Sequence, residues 1–124
     1  MCEMIAHIVL LQPREALSVD QRRSALDALA KSAASVPGIV RFRIGRRVQH
    51  GLPGYEQQMA QHYEFALVLE FESIDALTAY LTAPAHGVLG QLFTTATSAA
   101  LAYDYDMREA GELEAVASDW LKRP

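Results

Sequence analysis

Phe65-Ala66-Leu67-Val68-Leu69-Glu70-Phe71-Glu72-Ser73 is the stretch on which the reading of this chain turns. Phe65, Leu67, Leu69 and Phe71 share one side of a period-two alternation, and Ala66 and Val68 make the other side partly apolar, so Tyr63 to Phe71 is predicted to be a strand. Ser73 then caps a short helix whose apolar stripe is Ile74, Leu77, Tyr80 and Leu81. Pro84 ends that helix, because proline disfavours helical geometry in the residue before it. A second helical piece starts at the proline, with Val88, Leu89, Leu92, Phe93 and Ala96 facing one way. Across the break, Ala79-Tyr80-Leu81-Thr82-Ala83-Pro84-Ala85-His86 sets a phenol and an imidazole six residues apart. That pair is the first candidate for chemistry.

Working outward, Met4 to Leu11 is apolar on both faces except at His7, the pattern of a strand covered on two sides. Ser18 with Gln21 reads as a capping box, and Ala25, Leu26, Leu29 and Ala33 continue at helical spacing until Pro37-Gly38 stops them. From Ile39 to Val48 the residues alternate, Val40, Phe42 and Ile44 against Arg41, Arg43 and Arg47, as in a half-covered strand. Gln49 to His62, with Gly51, Pro53 and Gly54, is a long connection able to cover a site. Leu101 to Met107 is the last strand, with Tyr103 and Tyr105 on one face and Asp104 and Asp106 on the other. The order is βαββαβ, an α+β domain over residues 1–107. In residues 108–124, Leu113, Val116, Ala117, Trp120 and Leu121 recur at helical spacing, so an extra C-terminal helix is expected, docked on its own sheet or on a partner subunit.

Composition narrows the function. A chain of 124 residues carries one core. Its net charge of −4 argues against binding to nucleic acid. Apolar runs fall short of the ~20 residues a membrane helix needs, so no membrane association is expected. The N-terminal residues lack the features of a secretory signal, which points to the cytoplasm. Cys2 is the only cysteine, so neither an internal disulfide nor a thiolate metal cluster is expected. His50, His62 and His86 come without Asp or Glu at ligand spacing, and neither a metal nor any other cofactor is expected.

A βαββαβ order normally gives an antiparallel sheet with both helices on one face. The other face, either the Ile5, His7 and Val9 side of the first strand or its opposite, then needs a cover, and self-association is the economical one. The segments His7-Ile8-Val9-Leu10-Leu11, Pro37-Gly38-Ile39-Val40, Phe42 through Ile44-Gly45-Arg46, Phe65 through Ser73, and Leu77 through Tyr80 to Pro84-Ala85-His86 resemble the stress-responsive dimeric A/B barrel family, from about His7 to Asp106. The resemblance implies a ferredoxin-like βαββαβ sandwich that dimerises into an α+β barrel. One member is the plant olivetolic acid cyclase, which closes a linear polyketide by intramolecular aldol condensation. Similarity to it implies His86 as general base, Tyr80 as the donor that orients substrate, and His7 in the pocket. Phe65 stands where the cyclase has a further pocket histidine.

The residues themselves leave alternatives open. His86 lies in the first turn of its helix, where the dipole disfavours imidazolium and suits a base, but it could equally be packing. Tyr80 and His7 could be core residues with satisfied polar atoms. Arg41 and Arg43 either solvate an edge strand, paired with Glu70 or Glu72, or hold a ligand's carboxylate or phosphate. Two function classes follow: a cofactor-free cyclase or lyase acting on a β-keto or aromatic acid substrate, and a non-catalytic stress-responsive homodimer, a small-molecule binding or structural protein that uses the same cavity without turnover. A cofactor-independent monooxygenase has no motif behind it.

Overall fold

The computed structural model describes residues 4–124, the Ser35 side chain excepted; Cys2 lies outside the described residues. Four strands form one antiparallel sheet, β1 (Met4–Pro13), β2 (Ile39–Arg46), β3 (Phe65–Phe71) and β4 (Thr97–Met107), in the spatial order β2-β3-β1-β4. Three helices complete the βαββαβ unit: α1 (Val19–Ser35), α2 (Ile74–Thr82) and α3 (Pro84–Ala96). This is the ferredoxin-like arrangement. Its two central strands are the two most apolar segments, and the edges are the arginine-rich β2 and the tyrosine- and aspartate-bearing β4.

The local signals act as the sequence suggests. The Ser18 hydroxyl accepts from the Gln21 amide at 3.1 Å, and Gln21 Oε1 accepts from the Ser18 amide at 2.8 Å, so two N–H groups that the first turn leaves unpaired are satisfied at once. Ser73 caps α2 through the Ala76 amide. Gly38, at φ +92°, makes the turn into β2, an angle that strains any side chain, and a Cβ there would also press on Ala76 Cβ at 3.2 Å. Pro84 is the first residue of α3, where its missing N–H costs nothing.

Register decides which face is which. His7 pairs with Leu69 of β3 and Asp104 of β4, and Ile5 pairs with Phe71. Ile5, His7, Val9 and Leu11 therefore share a face with Leu67, Leu69 and Phe71, all buried beneath α2 and α3 with Leu77 and Tyr80. The opposite face carries Ala6, Ile8 and Leu10, Val68, and Leu101, Tyr103, Tyr105 and Met107. No element among the described residues covers it, and Tyr103 and Tyr105 stay exposed.

Four expectations change. The inward stripe of α1 passes through Ala25, Leu29 and Ser32, while Leu26 and Ala33 are exposed; α1 packs chiefly on α3, and Leu26 borders a cavity left between α1 and the sheet. Val40 is the extra residue where the β2–β3 register shifts, so only Phe42 and Ile44 keep the predicted face. β4 begins at Thr97, directly after α3. The C-terminal helix is broken at Ala117 into α4 (Leu113–Val116) and α5 (Ser118–Leu121). Leu113, Val116, Trp120 and Leu121 are all exposed, so this segment does not dock on its own sheet.

Candidate functional site

Three rings from three elements meet under the α2–α3 break. Tyr80 comes from the inward side of α2, His86 from the first turn of α3, and His7 from the centre of β1. Their centroids lie 4.9 Å apart for Tyr80–His86, 5.8 Å for His7–Tyr80 and 6.5 Å for His7–His86, each pair edge to face. Phe71 closes the far side of the phenol at 5.3 Å. The proline break is what permits this: a continuous helix would place residues 80 and 86 on different sides of its axis, whereas the change of direction at Ala83 turns both inward.

Sequence reasoning named these three residues and missed a fourth. His7, 5% exposed, places Nδ1 2.5 Å from Asp104 Oδ1. A carboxylate can only accept, so Nδ1 carries a proton and donates it to Asp104. Asp104 thus fixes the orientation of the His7 ring and keeps a proton on Nδ1. The signal was present in the alternation of β4, which sets Asp104 opposite to Tyr103 and Tyr105, but only the β1–β4 register links two residues 97 positions apart.

Electrostatics separates the two ends of the Tyr80–His86 pair. Burial pushes the Tyr80 phenol above its ordinary value, opposed by the nearby Ser32 hydroxyl, so the phenol keeps its proton and can donate. Ser32, itself 2% exposed, lies close enough to act on the phenol but makes no hydrogen bond of good geometry, which leaves a buried hydroxyl beside the site. His86 is half-buried and is pushed below the ordinary imidazole value, first by desolvation and then by His7, with the Leu81 carbonyl pulling the other way. The result is a neutral imidazole near pH 7, able to accept a proton.

The remaining candidates lie elsewhere. Phe65 pairs with Leu11, four residues along β1 from His7 and so about 13 Å away at the rise of a strand. It lines a cavity of ≈ 450 Å³ with Leu11, Leu29, Ile44 and Phe93, beside the ring cluster and not on it. Arg41 and Arg43 lie apart from the ring cluster. They pair with Glu70 and Val68, which puts them on the uncovered face of the sheet, with the sheet itself between them and the three rings. Arg43 reaches Glu70 at 3.7 Å across the edge, as the solvated-edge reading expects. His50 meets Tyr55 edge to face and lies near Glu56, whose carboxylate accepts from the Gly51 amide and is held below its usual range mainly by that bond. Among the described residues, no group of three His, Cys, Asp or Glu side chains is placed to hold a metal.

An antiparallel β2-β3-β1-β4 sheet with helices on one side and a small polar cluster beneath them defines the ferredoxin-like α+β class. Within that class the chain belongs to the stress responsive A/B barrel domain family, Dabb, whose family model matches residues 5–107. Solved structures agree on the fold. A dimeric ferredoxin-like protein of unknown function from Jannaschia sp. is 25% identical with a TM-score of 0.65, the match covering 84% of this chain and 99% of that one. A Dabb-family protein from Mesorhizobium loti is 20% identical, TM-score 0.66, over 86% and 99% of the two chains. Hydroxynitrile lyase from Passiflora edulis is 15% identical, TM-score 0.75, over 89% and 98%. No curated protein matches the chain at a significant level.

Proposed function

We propose that the protein is a homodimeric, cofactor-free acid–base enzyme acting on a small β-keto substrate, in the manner of a polyketide cyclase. The observation that carries this reading is the neutral His86 imidazole 4.9 Å, ring to ring, from a protonated Tyr80 phenol. A methylene between two carbonyls is already acidic, so two such groups suffice. His86 takes the methylene proton, and the C–H electron pair moves onto the carbonyl oxygen as an enolate that accepts a hydrogen bond from Tyr80. The enolate carbon attacks a distal carbonyl of the same chain, forming the new C–C bond. The resulting alkoxide recovers the proton from His86. His7, held by Asp104, fixes the third side of the site. A fold relative named as a hydroxynitrile lyase supports a catalytic use of this scaffold.

The second reading, binding without turnover, draws on a different observation. Tyr80 is 2% exposed and the open cavity lies beside the rings, lined by Phe65 and its neighbours. Turnover separates the two. Wild type should convert a linear poly-β-keto thioester to a cyclised product, followed by mass spectrometry, and Tyr80→Phe should slow it by about 10–100-fold, the loss of one hydrogen bond to a developing charge. Equal rates for wild type, Tyr80→Phe and buffer alone would leave binding as the function.

A further inference from the structure

We propose that Arg46, Arg47 and His62 form an anion-binding subsite that takes the phosphate or carboxylate head of a ligand whose apolar body occupies the adjoining cavity. Arg46 is the last residue of β2 and pairs with Phe65, so unlike Arg41 and Arg43 its side of the sheet is the helix side. Arg47 extends the pairing by donating its backbone N–H to the Glu64 carbonyl at 2.7 Å. With Val48, Gln49, His62 and Glu64 the two arginines line an open surface pocket of ≈ 400 Å³. Glu64 also lines the ≈ 450 Å³ cavity bounded by Leu11, Leu29, Phe65 and Phe93, so a polar pocket and an apolar one share a wall.

The side chains in the polar pocket are arranged for an acceptor. Arg47 Nη1 lies 2.7 Å from His62 Nδ1. A guanidinium has no lone pair to offer, so it donates, which makes His62 neutral with its proton on Nε2. The imidazole therefore holds the guanidinium in place without balancing its charge, and it keeps one N–H of its own. Arg43 and Arg108 each form an ion pair, but neither Arg46 nor Arg47 forms one among the described residues. Two guanidinium groups line the pocket with the Glu64 carboxylate, and the Glu56 carboxylate beyond the wall is near enough to feel the charge of Arg47 without pairing with it. A planar guanidinium pre-set in this way suits the two oxygens of a carboxylate or phosphate.

The site requires no turnover at His86, so binding is the readout. Calorimetric titration should use decyl phosphate, decanoate and, as the uncharged control, decanol. Wild type and His86→Ala are expected to bind at least one of the two anions about tenfold or more tighter than decanol, as a charge-assisted hydrogen bond implies. The anion bound more tightly identifies the head group, and either order supports the site. Arg46→Gln with Arg47→Gln should abolish that preference while leaving decanol affinity unchanged, which also shows that the variant is folded. Ala25→Trp, which fills the apolar cavity, should weaken all three probes together. Decanol bound as tightly as both anions by wild type, a preference that survives the double arginine variant, or anion binding untouched by Ala25→Trp would each overturn the proposal.

Discussion

Aspartate at both Ile8 and Tyr103 is expected to leave the chain a 13.7 kDa monomer in sedimentation at micromolar concentration, where the wild type runs as a dimer. The two residues are direct cross-strand neighbours on the face of the sheet that no helix covers. Around them lie Ala6, Leu10, Val68, Tyr105 and Met107, with Tyr103 58% and Tyr105 50% exposed in the single chain. An antiparallel sheet can face water on one side when that side is polar, as it is along β2 with Arg41, Arg43 and Glu70, but the β1–β4 half of this side is apolar. Two copies packed through it would bury the tyrosines, and obligate homodimer interfaces are of this apolar kind. Carboxylates at the centre of such an interface lose their water without gaining partners, a cost of several kcal/mol per ion, doubled by symmetry. The helix-side core does not contain either residue, so circular dichroism should show the monomer folded. A wild type that sediments as a monomer, or a double variant that remains dimeric, contradicts this assignment.

His86→Ala is expected to lower kcat/KM on a β-keto thioester by about 10²–10⁴-fold, the usual contribution of a positioned general base. Alanine is a good helix former and His86 is only half-buried, so the stability of α3 should change little. The pH dependence follows from the same group. Its value in the fold lies below the ordinary 6.5, chiefly through desolvation, so the neutral, active form persists as pH falls past 6.5 and the acid limb of the rate profile lies lower still. Stability moves the other way on acidification. Below 6.5 the unfolded chain binds a proton that the fold takes up only at lower pH, so the unfolded state holds more protons and stability falls as pH drops through that window. His86→Ala should remove this part of the acid sensitivity along with the activity. A variant that keeps both the rate and the acid limb would show that another group is the base.

The parts of the fold written in short-range pattern were readable from the chain. Phe65 to Phe71 alternates, Ser18 and Gln21 form their box, and Pro84 breaks the helix, because each depends on residues a few positions apart. Long-range register was not readable. Period two says that Ile5, His7 and Val9 share a face but not which face receives the helices; that is decided by the pairing of Ile5 with Phe71 and by α2 packing above it. The same limit hid Asp104 and left open which face the arginines share. Arg41 and Arg43 were rightly set apart from Phe42 and Ile44, yet only the assembled sheet shows them on the far side from His7. It was Arg46, past them on the strand, that fell on the helix side. For the C-terminal segment, apolar spacing suggested one helix, but without a surface to dock on, Leu113 to Leu121 holds only single turns.

The central claim is that His86 removes a proton from carbon, and exchange of that proton tests it without requiring the natural substrate. A β-keto thioester incubated in D₂O with wild type should lose its α-proton signal in the proton NMR spectrum faster than in buffer, and with His86→Ala it should lose that signal at the buffer rate. Exchange by His86→Ala as fast as by wild type, or no acceleration by wild type at all, would contradict the account.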